Sequence, residues 1–476
     1  MIKQASTLSL AFIASLSFVN IAFANTGSIE PERDSVVSND EIILNIKNQN
    51  NREFSYTQRE LQENPQFTGK LLEIALSNNN HQLIEKILPA YAKAEKNDAV
   101  LVDYAKATLA QSQGDYTSAI KHYKNILSNN PELDQIRLEL ALALFQDQQN
   151  TNAKNQFNKL KSSQSVSPQI QEVIDSYLEA IEHRNEWDIS GSVNYIRESN
   201  INNVSDSKYI GDWKKPDSHL PQSAHGVEYN FGIGKDFNIK NKHYLALENY
   251  TNGEKYWDND SYDDLTNRTY LGYRYKSADT AFSFLPFYKK NWSGDSDYNN
   301  HSTGINTSVY HKINPNFSYS ITGEYSKNKY PKDNDFNGNN KRLSSTLYWQ
   351  RNPKQSFYIG GGVSDKKTNV KRFDSMGKSL HTGWNQEWDK GISSRLGLGY
   401  SQTEYGDMAK YGGLIPLGKV RKDDTYTTNL MLWKRDWQFL GITPKLNISF
   451  KKQVSNLPDI YSYDKKNANI VFEKSF

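Results

Sequence analysis

The chain has 476 residues and no cysteine, which excludes disulfides, thiolate metal sites, cysteine nucleophiles and an acylated cysteine anchor. The formal net charge is only +3 and the basic residues are dispersed, so a nucleic-acid partner has no support. Thirty tyrosines, 20 phenylalanines and 9 tryptophans make a polar chain rich in aromatics, which an interfacial aromatic belt explains and a soluble β-protein explains less economically.

The N-terminus carries Lys3, an apolar stretch from Leu8 to Ile21, then Ala22-Phe23-Ala24. A positive start, a short apolar run and small residues at the recognition positions read as a secretory signal peptide over residues 1–24, cleaved between Ala24 and Asn25. No later run approaches the ~18 apolar residues of a spanning helix, so residence in a membrane requires a closed barrel. Residues 25–60 are rich in Asn, Glu and Ser and read as a polar, poorly ordered segment.

Residues 61–184 read as helical. Ala119 and Ala153 lie 34 residues apart, the length of a tetratricopeptide repeat, and the same offset links Ala107 with Ala141, Tyr123 with Phe157 and Ile126 with Leu160. Gly114-Asp115-Tyr116 supplies the turn within a helix pair and Pro131 ends the unit. A generic helical bundle has no reason to keep a fixed offset. Residues 66–95 read as a degenerate third pair, and Ser167-Pro168 opens a last helix with Ile170, Val173, Ile174, Tyr177, Leu178 and Ile181 as its apolar stripe.

From Trp187 the period changes from about 3.6 to 2 and stays there. Trp187, Ile189, Gly191, Val193 and Tyr195 share one face of the first strand, and Asp188, Ser190, Ser192 and Asn194 share the other. About 14 such segments follow over residues 185–476, an even number as single-chain bacterial barrels require. They begin near residues 187, 225, 242, 265, 280, 302, 316, 341, 355, 378, 391, 424, 440 and 467. Connections after even strands are short, as at Lys240-Asn241 and Asn352-Pro353; those after odd strands are longer, such as Ser199 to Ser223 and Glu404 to Lys422. That alternation, with both termini on the short side, is the pattern of an outer-membrane barrel; a soluble β-sandwich or propeller does not predict it. The expected fold is therefore an α + β membrane protein, a tetratricopeptide-like helical domain followed by a transmembrane antiparallel β-barrel. In the final strand Ile470, Phe472 and Phe476 lie on the apolar face, and a terminal Phe resembles the signal by which such barrels are recognised for insertion.

This layout of signal peptide, short tetratricopeptide domain and barrel of about 14 strands resembles the Slam family, surface lipoprotein assembly modulators also described as type XI secretion translocons. The resemblance implies an outer-membrane translocon, with the helical domain in the periplasm, that exports surface lipoproteins or soluble haemophore-type proteins. Its implied partners are outer-membrane lipids, the barrel-assembly machinery, a periplasmic client protein and periplasmic chaperones. A polysaccharide exporter and a passive porin stay open, the first disfavoured by the few repeats and the second by an unused helical domain.

In a tetratricopeptide pair the first helix of each repeat lines the concave groove, which places Tyr104, Thr108, Gln111, Leu138, Leu142 and Phe145 on the expected client-facing surface. Packing between helices is an equally good account of Leu138 and Leu142. Asp188, Glu228, Glu248, Arg274, Glu324, Arg395, Lys445 and Glu473 fall on the expected lumen face. No HExxH, paired metal spacing, phosphate loop or hydrolase triad is legible, so no catalytic, cofactor or metal site is expected. The glycine run Gly360-Gly361-Gly362 reads as close backbone approach within a strand.

Overall fold

The computed structural model describes residues 42–47, 53–163, 165–294, 297–437 and 442–475. The signal-peptide residues, Ala24, Asn25 and the terminal Phe476 lie outside them. The chain divides into two units, one ending at Arg184 and the other running from Asn185.

The first unit opens with a small antiparallel hairpin, Ile42–Lys47 against Glu53–Thr57. It falls inside the segment 25–60 expected to be poorly ordered, and that expectation is corrected for residues 42–47 and 53–60 alone. The apolar cluster Ile42-Ile43-Leu44-Asn45-Ile46 is enough to form a strand, and Leu44 is buried with Leu61 and Leu72. Eight helices follow: α1 Gln58–Glu63, α2 Pro65–Ser77, α3 His81–Lys93, α4 Ala99–Ser112, α5 Tyr116–Asn129, α6 Asp134–Gln146, α7 Asn150–Lys161 and α8 Pro168–Arg184. Thr57 and Glu60 form a reciprocal capping box at the first of them.

Pairs α2–α3, α4–α5 and α6–α7 turn in one way. Asn79, Gly114 and Gln148 all adopt left-handed φ, at 50°, 83° and 60°. Just beyond each, the amides of Asn80, Asp115 and Gln149 donate to the carbonyls of Ala75, Ala110 and Leu144. The degenerate pair is thus a third repeat. Its interior is what degenerated: fully buried Ala107, Ala119, Ala141 and Ala153 have the bulkier Leu72 and Ile84 as counterparts. Gln148 holds a conformation that costs a side-chain-bearing residue about 1 kcal/mol or more. The last helix, α8, covers the end of the array. Ile174 and Ile181 are fully buried, and Tyr177 packs edge-on against Phe145 (4.9 Å) and stacks on Phe157 (5.4 Å).

The second unit is a closed barrel of fourteen antiparallel strands in sequence order. They are β1 Asp188–Glu198, β2 Ala224–Lys240, β3 His243–Tyr256, β4 Asp264–Lys276, β5 Thr280–Ser293, β6 Asp297–Lys312 and β7 Phe317–Lys329. Then come β8 Gly338–Asn352, β9 Gln355–Thr368, β10 Ser375–Glu387, β11 Ile392–Tyr411, β12 Ile415–Lys434, β13 Thr443–Ser455 and β14 Tyr463–Ser475. Closure gives every strand two neighbours, so most of the backbone is satisfied without water.

One expected loop is corrected. Glu404 to Lys422 is not a loop: β11 and β12 continue through it, with register shifts, to a tight turn at Gly412 and Gly413, both at positive φ. Ion pairs Lys422–Glu404 (2.6 Å) and Arg421–Asp423 (2.6 Å) hold a stretch in which charged and apolar residues are mixed on both faces, so it carries no period-2 signal. The connection 294–296 after β5 is short as well, whereas 199–223, 257–263, 330–337, 369–374 and 456–462 are the longer odd-side connections.

A groove in the helical array and a polar lumen

Ladder partners traced from strand to strand put Asp188, Glu228, Glu248, Arg274, Glu324, Arg395 and Lys445 on a single face of the sheet. The opposite face carries Phe231, Leu271, Leu343, Ile359, Leu380 and Ile448, all exposed. Large apolar side chains exposed all around a barrel are placed for lipid, so the polar face is the lumen. Aromatic groups gather at two heights. Trp349 stacks between Phe317 and Phe357 and Trp384 meets Trp388 near the short turns; Tyr195 stacks on Trp257 and Tyr400 pairs with Tyr426 toward the long connections. These are the two interfacial girdles of an outer-membrane barrel.

The lumen wall has two characters. On β2 to β7 several of the charges are paired. Arg274 bridges Asp236 (2.8 Å) and Glu248 (2.5 Å), and Lys276 also reaches Asp236. Arg268 on β4 forks onto Glu324 on β7 (3.2 and 3.3 Å) while its guanidinium rests 4.2 Å from the Phe287 ring, and Asn306 donates to the same carboxylate. On β9 to β12 the lumen face carries many small uncharged residues, Gly360, Gly362, Gly377, Gly383, Gly397, Gly399, Thr425 and Thr427, with the charges of Lys366, Arg395 and Asp423 among them. The expected reason for the glycine run holds at Gly360, where an added Cβ would stand 2.5 Å from both the Ser345 carbonyl and His381 Nε2.

In the helical unit, α4 presents Tyr104, Thr108 and Gln111 at successive turns, all partly exposed. The Tyr123 hydroxyl on α5 donates to Gln111 Oε1 (3.1 Å), and the Tyr104 and Tyr123 rings lie 6.3 Å apart. Glu139 on α6 stands beside both phenols, and desolvation followed by its charge pushes Tyr104 up to about 12. The Glu139 side chain has no ion-pair partner among the described residues. Burial raises its carboxyl above the usual glutamate range, with a Gln111 hydrogen bond opposing the shift. Thr108 Oγ1 is buried without a hydrogen-bond partner among the described residues.

The second-repeat counterparts differ. Leu138 and Leu142 pack against the main apolar cluster. Phe145 is only 3% exposed, with the Arg184 guanidinium 3.6 Å over its ring and Tyr177 at its edge, so it is corrected from groove surface to core. Repeat arithmetic treats the two inner helices alike, whereas α8 covers only the second. Sequence reasoning missed Glu139. Its signal was there: it is the lone acid in the otherwise apolar run Leu138–Phe145.

A raised carboxyl fixes a sign. Between the ordinary glutamate value and the raised folded value the folded state holds the extra proton, so the Glu139 contribution to stability falls as pH rises through that window. Glu139→Gln is expected to raise the denaturant midpoint of the helical unit above the window and to flatten that part of the pH profile. An unchanged profile would show that the carboxylate is solvated.

On β14, Ile470 and Phe472 lie on the lipid face, each about half exposed (51% and 50%). Comparison with known proteins then decides the family. The model of the family described as surface lipoprotein assembly modifier matches residues 187–476, and that of its N-terminal TPR repeats matches residues 54–157. The chain belongs to this family. The surface lipoprotein assembly modifier of Pasteurella multocida is 32% identical over 441 residues, covering 89% of this chain and 86% of that protein. Surface lipoprotein assembly modifier 1 of Haemophilus influenzae is also 32% identical, covering 90% of this chain and 89% of that protein. The hemophilin secretion modulator of Acinetobacter baumannii is 25% identical over 438 residues, covering 87% of each. As a member of the surface lipoprotein assembly modifier family built on a closed barrel with a lipid-facing band, the chain is a protein of the outer membrane.

Proposed function

We propose that this protein is an outer-membrane translocon that carries a surface lipoprotein or a haemophore-type protein out of the periplasm. The observation that carries the reading is a family match over the whole barrel joined in the same chain to its TPR repeats. The physics is consistent with it. Several lumen charges of both signs are paired with one another and part of the wall is glycine and threonine, so a passing polypeptide meets a reduced fixed field there. A conduit requires binding weak enough for release.

The groove on α4 and α6 supplies recognition. An unpaired, desolvated carboxylate at Glu139 flanked by Tyr104 and Tyr123 suits a cationic side chain of the client, which would supply the missing counter-charge and a ring-face contact. Tyr104, Thr108 and Gln111 are the client-facing residues of this reading, with periplasmic chaperones keeping the client unfolded before capture. Ile470, Phe472 and Phe476 form the signal read by the barrel-assembly machinery. A strain lacking the chain is expected to lose particular proteins from its surface and to regain them when the full chain is restored. Surface proteomes that are identical with and without the chain would sink the proposal.

The helical unit is assigned to the periplasm because an even strand number brings both ends of the barrel to the side of the short turns. Exposed Asp206 and Asp407 belong to the opposite side. Cysteines at these two positions are expected to react with an impermeant maleimide on intact cells, and cysteines at Asn241 or Lys354 to react only after the outer membrane is opened. The cysteine-free background gives no competing signal. Inverted labelling would overturn the orientation.

A further inference from the structure

The barrel closes unevenly. The β1–β2 ladder runs the whole length of β1, from Asp188↔Gly234 to Glu198↔Ala224, and the β13–β14 ladder runs from Thr443↔Glu473 to Gln453↔Tyr463. Between β14 and β1 the ladder spans only Val471↔Asn194 to Ser475↔Ser190. All of residues 195–198 and 463–470 are described and extended, yet they form no backbone pairs across this seam. What spans the gap is side chains: Lys465 Nζ to Glu198 Oε2 (3.0 Å) and Asn467 Nδ2 to Glu198 Oε1 (3.4 Å). Asn469 Oδ1, on the same stretch, is buried with no hydrogen-bond partner among the described residues. Above the gap the rim is stitched by few contacts, Lys215 Nζ to the Asp459 carbonyl (2.9 Å) and the Ser205 amide to the Ile460 carbonyl (3.2 Å).

We propose that the unladdered stretch of the β14–β1 seam is a lateral exit through which the acyl chains of a lipidated client pass from lumen to membrane. The inference rests on the translocon reading and adds where the lipid leaves. Both sides of the slot are built for an amphipathic cargo. Val193, Tyr195 and Ile470 offer exposed apolar surface outward, while Glu198, Asn467 and Asn469 face inward beside the polypeptide. Opening at any other seam breaks a far longer ladder of backbone hydrogen bonds; opening of this stretch breaks one ion pair and one long hydrogen bond among the described residues. The slot lies at the end of the long connections, which the proposed orientation places in the outer leaflet. Parting of the Lys215 and Ser205 contacts then frees the attached polypeptide.

Two measurements test this. First, bimane is attached at Asn469→Cys, and separately at Asn306→Cys on the lumen face of β6, in folded protein in dioleoylphosphatidylcholine vesicles with and without brominated-chain phosphatidylcholine. At least twofold quenching is expected at 469 and none at 306; equal signals at both positions would overturn the slot. Second, Glu198→Cys with Asn467→Cys is oxidised to lock the seam. The control is Thr307→Cys with Gly323→Cys, a laddered pair where an added Cβ meets nothing within 4 Å. Heat-modifiable mobility confirms that each barrel is folded. Locking the seam is expected to cut surface display of acylated clients at least tenfold, reversibly with dithiothreitol, while their unacylated forms still leave and the control lock has no effect. Undiminished display through a locked seam, or equal loss of both forms, would refute the exit. Absence of any displayed client with the unmodified chain would instead strike the translocon reading, and the quenching result would still decide the slot.

Discussion

Excision of residues 42–184 is expected to leave a barrel that folds and reaches the outer membrane yet displays its client at a tenth of the normal level or less. The two apolar clusters of the helical unit are built wholly from residues 44–181, from Leu44 with Leu61 and Leu72 through Ile174 and Ile181. Repeat arrays are stabilised by contacts between neighbours, so the unit can be removed as a whole. The cut must precede Ile42, because a cut at residue 60 would strand the hairpin and expose Leu44. Heat-modifiable mobility reports the folded barrel, and antibody binding on intact cells reports the client. Full display by the excised protein would leave the groove without a role and favour a passive pore. A finer version changes Tyr104 and Gln111 to Ala, which removes the phenol beside Glu139 and the amide held by Tyr123 while leaving the buried alanines untouched. Client capture is expected to fall with no loss of helical signal.

The barrel was legible because each strand must alternate: one face meets lipid and the other a polar lumen, and a period of 2 survives any reshuffling of residue types. Thirteen of the expected strand starts fall within about five residues of those found. The exception, expected near 424 and found at Ile415, lies where Lys419, Arg421, Lys422, Asp423 and Asp424 crowd both faces beyond the lipid band and erase the alternation. The helical unit was legible through its fixed offset, which repeats alanine at the close helix contacts of two of the three pairs. What the offset cannot show is what covers each helix. Tyr104 and Phe145 belong to corresponding stretches of two repeats, and the position of α8 and the reach of Arg184 leave the first partly exposed and bury the second. The seam was beyond sequence reasoning altogether. Alternation fixes which way residues 195–198 and 463–470 face, and says nothing about whether their backbones come close enough to bond.

Ile470→Arg combined with Phe472→Arg is expected to abolish the folded barrel. Both side chains point to lipid on the closing strand, and an arginine on that face costs roughly 2–4 kcal/mol at mid-bilayer, falling to about 0–1 near the interfaces. Phe472 is paired with Pro444 close to the short turns and carries the smaller share; Ile470, opposite Leu446, is deeper and carries the larger. The same pair of charges elsewhere on the lipid face, for example at Ile321 and Leu343, has a comparable thermodynamic cost but falls on strands held by full ladders on both sides. On β14 the neighbouring seam with β1 has only its short ladder to resist the strain. The double variant at 470 and 472 should therefore be absent from the outer membrane while the variant at 321 and 343 is reduced but present. Equal levels of the two would show that the last strand has no special part in closure, and normal levels of both would remove the lipid-facing assignment itself.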